Sequence, residues 1–128
     1  MNLLLDSCTL IWLTSEPALL SAAATAAIDH PAARLHVSHA SLWEIALKHE
    51  AGKLHLPAPL RSWWAEQIHR WSLIELPLTG EVLLQGTELP RHHKDPFDRA
   101  ILAQALSDNL ALVSPDSNFP LYGVSLIW

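Results

Sequence analysis

The sequence predicts an α/β protein centred on a mainly parallel sheet of five strands. Short apolar runs without polar alternation recur along the chain, beginning with Leu3-Leu4-Leu5 and returning at Leu112-Val113, as strands buried on both faces of a parallel sheet do. Segments of helical character lie between these runs, and one carries Leu60, Trp64, Ile68 and Trp71 at three- and four-residue spacing. Strands that alternate with helices imply parallel pairing through right-handed crossovers.

The elements follow in order. Residues 2–5 read as the first buried strand, and residues 8–14 as a short helix. Pro17 stands near the start of an Ala-rich helix, from about Leu19 to Asp29, which Pro31 stops. Residues 35–38 form the second strand. Ser38 then caps a helix to about Glu50, with Gly52 as its stop. Pro57 and Pro59 open a helix over residues 60–71, followed by a strand at 73–76 and a short helix at 79–87. Pro90 to Lys94 is a loop. Asp95-Pro96 opens a helix to about Ser107, with Pro96 at the first helical position, where a missing N–H costs nothing. Residues 110–114 and 124–127 are the last strands. No repeat or linker divides the chain, and its 128 residues fit one domain.

Composition excludes several classes. Half the residues are hydrophobic and 16% are charged, which argues against disorder. No apolar run reaches the roughly 18 residues of a membrane helix, and the N-terminus lacks a signal-peptide pattern. Cys8 is the sole cysteine, so no internal disulfide forms and a reducing cytoplasm is expected. A net charge of −5 disfavours nucleic-acid binding through a basic patch, unless bound cations change the local field.

Four carboxylates fall where such a sheet brings them to one edge: Asp6, Glu44, Asp98 and Asp116. In open α/β sheets ligands bind outside the carboxyl ends of the strands. Four acids there repel one another unless a cation joins them, which points to a divalent metal. Singly, each has an ordinary reading. Asp6 and Asp116 suit turns or helix caps. Glu44 suits an i,i+4 pair with Lys48, although Leu42, Trp43, Ile45, Ala46 and Leu47 leave it little water to face. Asp95, directly before Pro96, is the better cap, which leaves Asp98 free for the metal. Ser114 is placed to hydrogen-bond a neighbouring carboxylate or a bound water. Jointly, four acids on one edge outweigh the ordinary readings. Cys8 lacks a His partner and reads as a small buried residue rather than a nucleophile.

The segments Leu4-Leu5-Asp6-Ser7, Ser38 to Lys48 with Gly52-Lys53-Leu54, His92-His93-Lys94-Asp95-Pro96-Phe97-Asp98-Arg99 and Leu112 to Asp116 resemble PIN-domain proteins of the VapC toxin type. The resemblance covers essentially the whole chain. It implies a three-layer α/β/α fold and a metal-dependent ribonuclease, the toxin of a type II toxin–antitoxin pair. The family's four acidic positions match Asp6, Glu44, Asp98 and Asp116. Its Ser or Thr before the last acid matches Ser114, with Pro115 where many relatives carry a basic residue.

On that reading Mg²⁺ or Mn²⁺ is the cofactor. Asp6 and Asp98 contact it most directly, while Glu44 and Asp116 act through water or on a second ion. Lys48, Lys53, Lys94 and Arg99 are candidate contacts to RNA phosphates. The adjacent His92 and His93 read as polar surface, with metal binding as the alternative. Trp63, Trp64 and Trp71 exceed what one sheet face covers, so they serve either the core or an interface with a second copy or an antitoxin. The alternatives are a non-catalytic RNA-binding PIN module and a structure-specific DNA nuclease. An aspartyl phosphatase wants a second acid where Cys8 stands, and a receiver domain wants an Asp where Leu76-Pro77 stands.

Overall fold

The computed structural model describes residues 1–128. Its strands are β1 (Asn2–Leu5), β2 (Arg34–Ser38), β3 (Ile74–Leu76), β4 (Ala111–Val113) and β5 (Leu126–Ile127). They form one sheet of order β3-β2-β1-β4-β5. All four pairings are parallel, so the sheet is wholly rather than mainly parallel. The helices are α1 (Ser7–Ser15), α2 (Ala22–Asp29), α3 (His39–Glu50), α4 (Leu60–Arg70), α5 (Gly80–Glu88) and α6 (Pro96–Ser107).

Period-two alternation in β1 makes the layers. Leu3 and Leu5 face one core with Leu10, Ile28, Val37 and Trp63. Leu4 faces the other with Leu112, Ile101, Leu102 and Phe119. Helices therefore cover both faces, because a strand apolar on both sides must be buried on both. β1 lies at the centre of the sheet, and its three leucines are wholly buried.

Local chemistry sets the element ends. Ser38 accepts the Ala40 N–H at 2.9 Å and starts α3 directly from β2. Gly52 follows that helix at φ +73°, a left-handed conformation that glycine adopts without a Cβ penalty. The helix expected from Leu19 to Asp29 is instead split. Pro17–Leu19 is a 3₁₀ turn, and Ser21 caps a new helix by accepting the Ala24 N–H at 3.0 Å. A second 3₁₀ turn, Phe119–Tyr122, was not foreseen, and it buries Phe119 completely.

Of the two readings of the tryptophans, core or interface, the structure favours the core. Trp63 and Trp64 lie in the core at 3% and 8% exposure. The Trp64 indole N–H donates to Glu75 at 2.8 Å, which draws the Glu75 carboxyl below its ordinary pKa. Trp71 packs partly buried against the same core. The exposed large apolar side chains are elsewhere, with Trp43 on α3 and Leu83 and Leu84 on α5.

Candidate metal centre

Register places the first pair of site residues. Leu5 of β1 lies beside Val113 of β4, so the next residues, Asp6 and Ser114, leave the sheet side by side. The Ser114 hydroxyl donates to Asp6 Oδ2. Asp6 Oδ1 accepts the Thr9 N–H at 2.8 Å, which caps α1. Asp6 therefore fills the cap role and faces the site with the same carboxylate. It is 5% exposed. Burial raises its pKa, the bonds from Ser114 and Thr9 oppose that rise, and the charge of Glu44 adds to it.

Glu44 arrives from the neighbouring strand, β2, one turn into α3. It is 9% exposed. Its Oε2 accepts Lys48 Nζ at 2.8 Å, whereas its Oε1 is buried without a hydrogen-bond partner. Both readings of Glu44 thus hold at once, since it pairs with Lys48 and also lines the cleft. The bond to Glu44 raises the Lys48 pKa against the opposing effect of burial.

Asp95 caps α6, accepting the Phe97 N–H at 2.9 Å and the Asp98 N–H at 3.4 Å. Asp98 is thereby free to face the cleft. Burial first, and the charge of Asp95 second, push its carboxyl up to about 7, against a lowering effect of His93. Asp116 follows β4. Its Oδ1 accepts the Asn118 N–H at 2.9 Å, and its own N–H donates to Ser114 Oγ at 3.1 Å.

The four carboxylates line one cavity of about 360 Å³, with Lys48 and Cys8 on its wall. Cys8 is half-buried on the cavity wall rather than fully buried as expected, and burial and the charge of Asp6 push its thiol up to about 11, which favours the protonated form. The donor set suits a hard divalent cation: Asp98 and Asp116 offer oxygens within 4.8 Å of each other and of His93, and Asp6 and Glu44 line the same cavity, with one Glu44 oxygen buried without a partner.

Two side chains depart from expectation. The terminal nitrogens of Arg99 donate to the carbonyls of Thr87, Leu89, Pro90 and His93, at 2.6 to 3.3 Å. Arg99 clamps the 88–95 loop instead of offering its fork to phosphate. His93 is not plain surface either. Its Nε2 lies 2.8 Å from Asp116 Oδ2 and 3.2 Å from Asp98 Oδ2. His92 packs edge-on against Tyr122. Lys53 and Lys94 are exposed. The sequence marked Arg99 as a phosphate contact and His93 as surface or a metal ligand, but not these partners, because the partners depend on the path of the loop. The one local cue is that His93 lies two residues before a helix cap.

The sequence profile of the PIN domain matches residues 3–124. The chain belongs to the PIN-domain family. The matched span takes in all four carboxylates, Ser114 and His93. Over 116 residues this PIN domain is 34% identical to Ribonuclease VapC22 of Mycobacterium tuberculosis, covering 90% of this chain and 87% of the relative. Its fold is similar to a chain of VapBC2 from Rickettsia felis bound to a DNA fragment from their promoter, with a TM-score of 0.71, 14% identity, and coverage of 98% of this chain and 97% of that one. It is also similar to a chain of VapBC-1 from nontypeable Haemophilus influenzae, with a TM-score of 0.63, 16% identity, and coverage of 98% and 96%. No helix of this PIN domain is long and apolar enough to cross a membrane.

Proposed function

We propose that this PIN domain is a Mg²⁺- or Mn²⁺-dependent endoribonuclease, the toxin of a type II toxin–antitoxin pair acting in the cytoplasm. One observation carries the reading: Asp6, Glu44, Asp98 and Asp116 line a single cleft, and Glu44 presents it with a buried, unpartnered oxygen. The 34% identity to a protein named as a ribonuclease supports the substrate class.

A divalent cation held there would relieve charge on the scissile phosphate and activate water. Asp6 and Asp98 would hold it most directly, and Glu44 and Asp116 would complete the shell. The chain's own work is to hold these groups ready. Thr9 and Ser114 fix the two oxygens of Asp6. Lys48 neutralises one Glu44 oxygen, and the Asp95 cap orients the first turn of α6 under Asp98. Lys48, Lys53 and Lys94 remain candidates for RNA phosphate. Pro115 offers no cation beside Asp116. The likeness to chains from VapBC assemblies supports an antitoxin partner, and exposed Trp43, Leu83 and Leu84 offer apolar area to an antitoxin or a second copy.

The test compares the parent with Asp6→Asn and Asp98→Asn on a pool of tRNA and mRNA, with Mg²⁺ or with EDTA, and on matched DNA. The parent is expected to cleave RNA only with metal, and each variant to lose at least about 100-fold. Expression of the parent alone should arrest bacterial growth. Equal cleavage by all three proteins, or cleavage that survives EDTA, would end the proposal, and cleavage confined to DNA would replace it with a DNA nuclease.

A further inference from the structure

His93 gives the Asp98–Asp116 half of the cleft an occupant from the chain itself. The backbone N–H of Asp95 donates to His93 Nδ1 at 3.2 Å. An imidazole nitrogen that accepts carries no proton, so in the neutral ring the proton sits on Nε2. That N–H donates to Asp116 Oδ2 at 2.8 Å and stands 3.2 Å from Asp98 Oδ2. The three atoms lie within 4.8 Å of one another. His93 Nε2 therefore lies in contact with both carboxylate oxygens that would hold an ion in this half of the cleft.

The ring is poorly set to join the ion as a ligand. Nε2 would have to give up its proton, and a proton moved to Nδ1 would point at the Asp95 N–H. The ring packs 5.6 Å from the Phe119 ring, and the His93 carbonyl accepts from Arg99 at 3.0 Å, which ties the position of the side chain to that of the loop. The other half of the cleft differs, since Glu44 Oε1 is nine-tenths buried and has no partner.

We propose that His93 is a tethered stand-in for the cation, an N–H on the 88–95 loop that must leave the gap between Asp98 and Asp116 before that half takes metal. It lowers metal affinity and ties loading of the site to the position of this loop. The inference rests on reading the four carboxylates as a metal site.

Mn²⁺ alone is the probe. It is titrated into the metal-free full chain while the EPR signal of free Mn²⁺ is followed. His93→Asn keeps an acceptor near Nδ1 for the Asp95 N–H but withdraws the donor from the gap. His93→Gln keeps an N–H near the Nε2 position, and His93→Ala removes both. His93→Asn and His93→Ala are expected to bind Mn²⁺ about tenfold more tightly than the parent, with His93→Gln within about threefold. Far-UV circular dichroism identifies any variant that fails to fold, and the other donor-free variant then decides. Unchanged affinity in a folded donor-free variant overturns the inference. Weaker binding also overturns it and makes His93 a metal ligand. Absence of Mn²⁺ binding by the parent and every variant instead brings down the metal reading itself.

Discussion

The two halves of the carboxylate cluster are built from different material. Asp6 and Glu44 are almost wholly buried, at 5% and 9% exposure; Asp6 directly follows the central strand β1, and Glu44 lies one turn into the helix that leaves β2. The side chains of Asp98 and Asp116 are 20% and 26% exposed. Ser114 and Thr9, both on elements anchored in the sheet, hold Asp6. His93, on a loop, holds the other pair, and that loop keeps its shape through the four carbonyl bonds of Arg99. Parallel pairing thus fixes Asp6 by register and α3 carries Glu44, while the contact between Asp98 and Asp116 runs through His93 on a loop. Elements with more buried contacts open less readily, so the first half is expected to be the stiffer of the two.

Ser114→Ala attacks the stiff half and carries the largest expected effect. A hydrogen bond to a charged acceptor contributes about 1.5–3 kcal/mol, and Ser114 is fully buried. Stability in thermal melts should fall by that order. Affinity for Mn²⁺ should fall about 10- to 100-fold, as when a group that orients a metal ligand is lost. Wild-type stability with unchanged affinity would erase the distinction between the halves.

Arg99→Lys attacks the loop half, with a smaller effect on global stability. Lysine is a single point charge and does not reproduce a planar fork. Amide exchange in residues 88–95 should rise about tenfold or more, while exchange in β1 and β4 stays as in the parent. A raised KM for RNA with unchanged exchange would instead restore Arg99 to the phosphate-contacting role that its place in the sequence suggested.

The same contrast explains what the sequence made legible. Short apolar-rich segments identified every strand, and the unbroken runs of β1 and β4 did so most directly, because a doubly covered parallel sheet writes burial into composition. Acids just beyond those runs pointed to Asp6 and Asp116 for the same reason, and Asp95-Pro96 separated the cap from Asp98 through local helix chemistry. The roles of Arg99 and His93 were hidden, because a loop's path depends on partners that no periodicity records. The break at Ser21 was hidden too, since an Ala-rich run satisfies helix propensity whether or not a hydroxyl restarts the helix. Trp63 and Trp64 were half legible: their size was plain, but the depth of the core that receives them came only from the packing of α4.

The last prediction separates the halves by titration. Burial, then the charge of Asp95, raises the Asp98 carboxyl from an ordinary 3.8 to about 7. The folded chain therefore holds this proton more tightly than the unfolded chain does, and the stability linked to it is complete below pH 3.8 and is lost as pH rises through about 7. Asp6, raised chiefly by its burial, acts in the same direction. In EDTA the parent should lose melting temperature relative to Asp98→Asn across this window, because the amide has no proton to release. In saturating Mn²⁺ the order should reverse toward neutral pH, since the cation binds the ionised carboxylates and stabilises the fold by mass action. Parallel melting curves for the two proteins in EDTA would mean that Asp98 ionises as freely as a surface acid, and the more open half of the cleft would then have no charge strain for a cation to relieve.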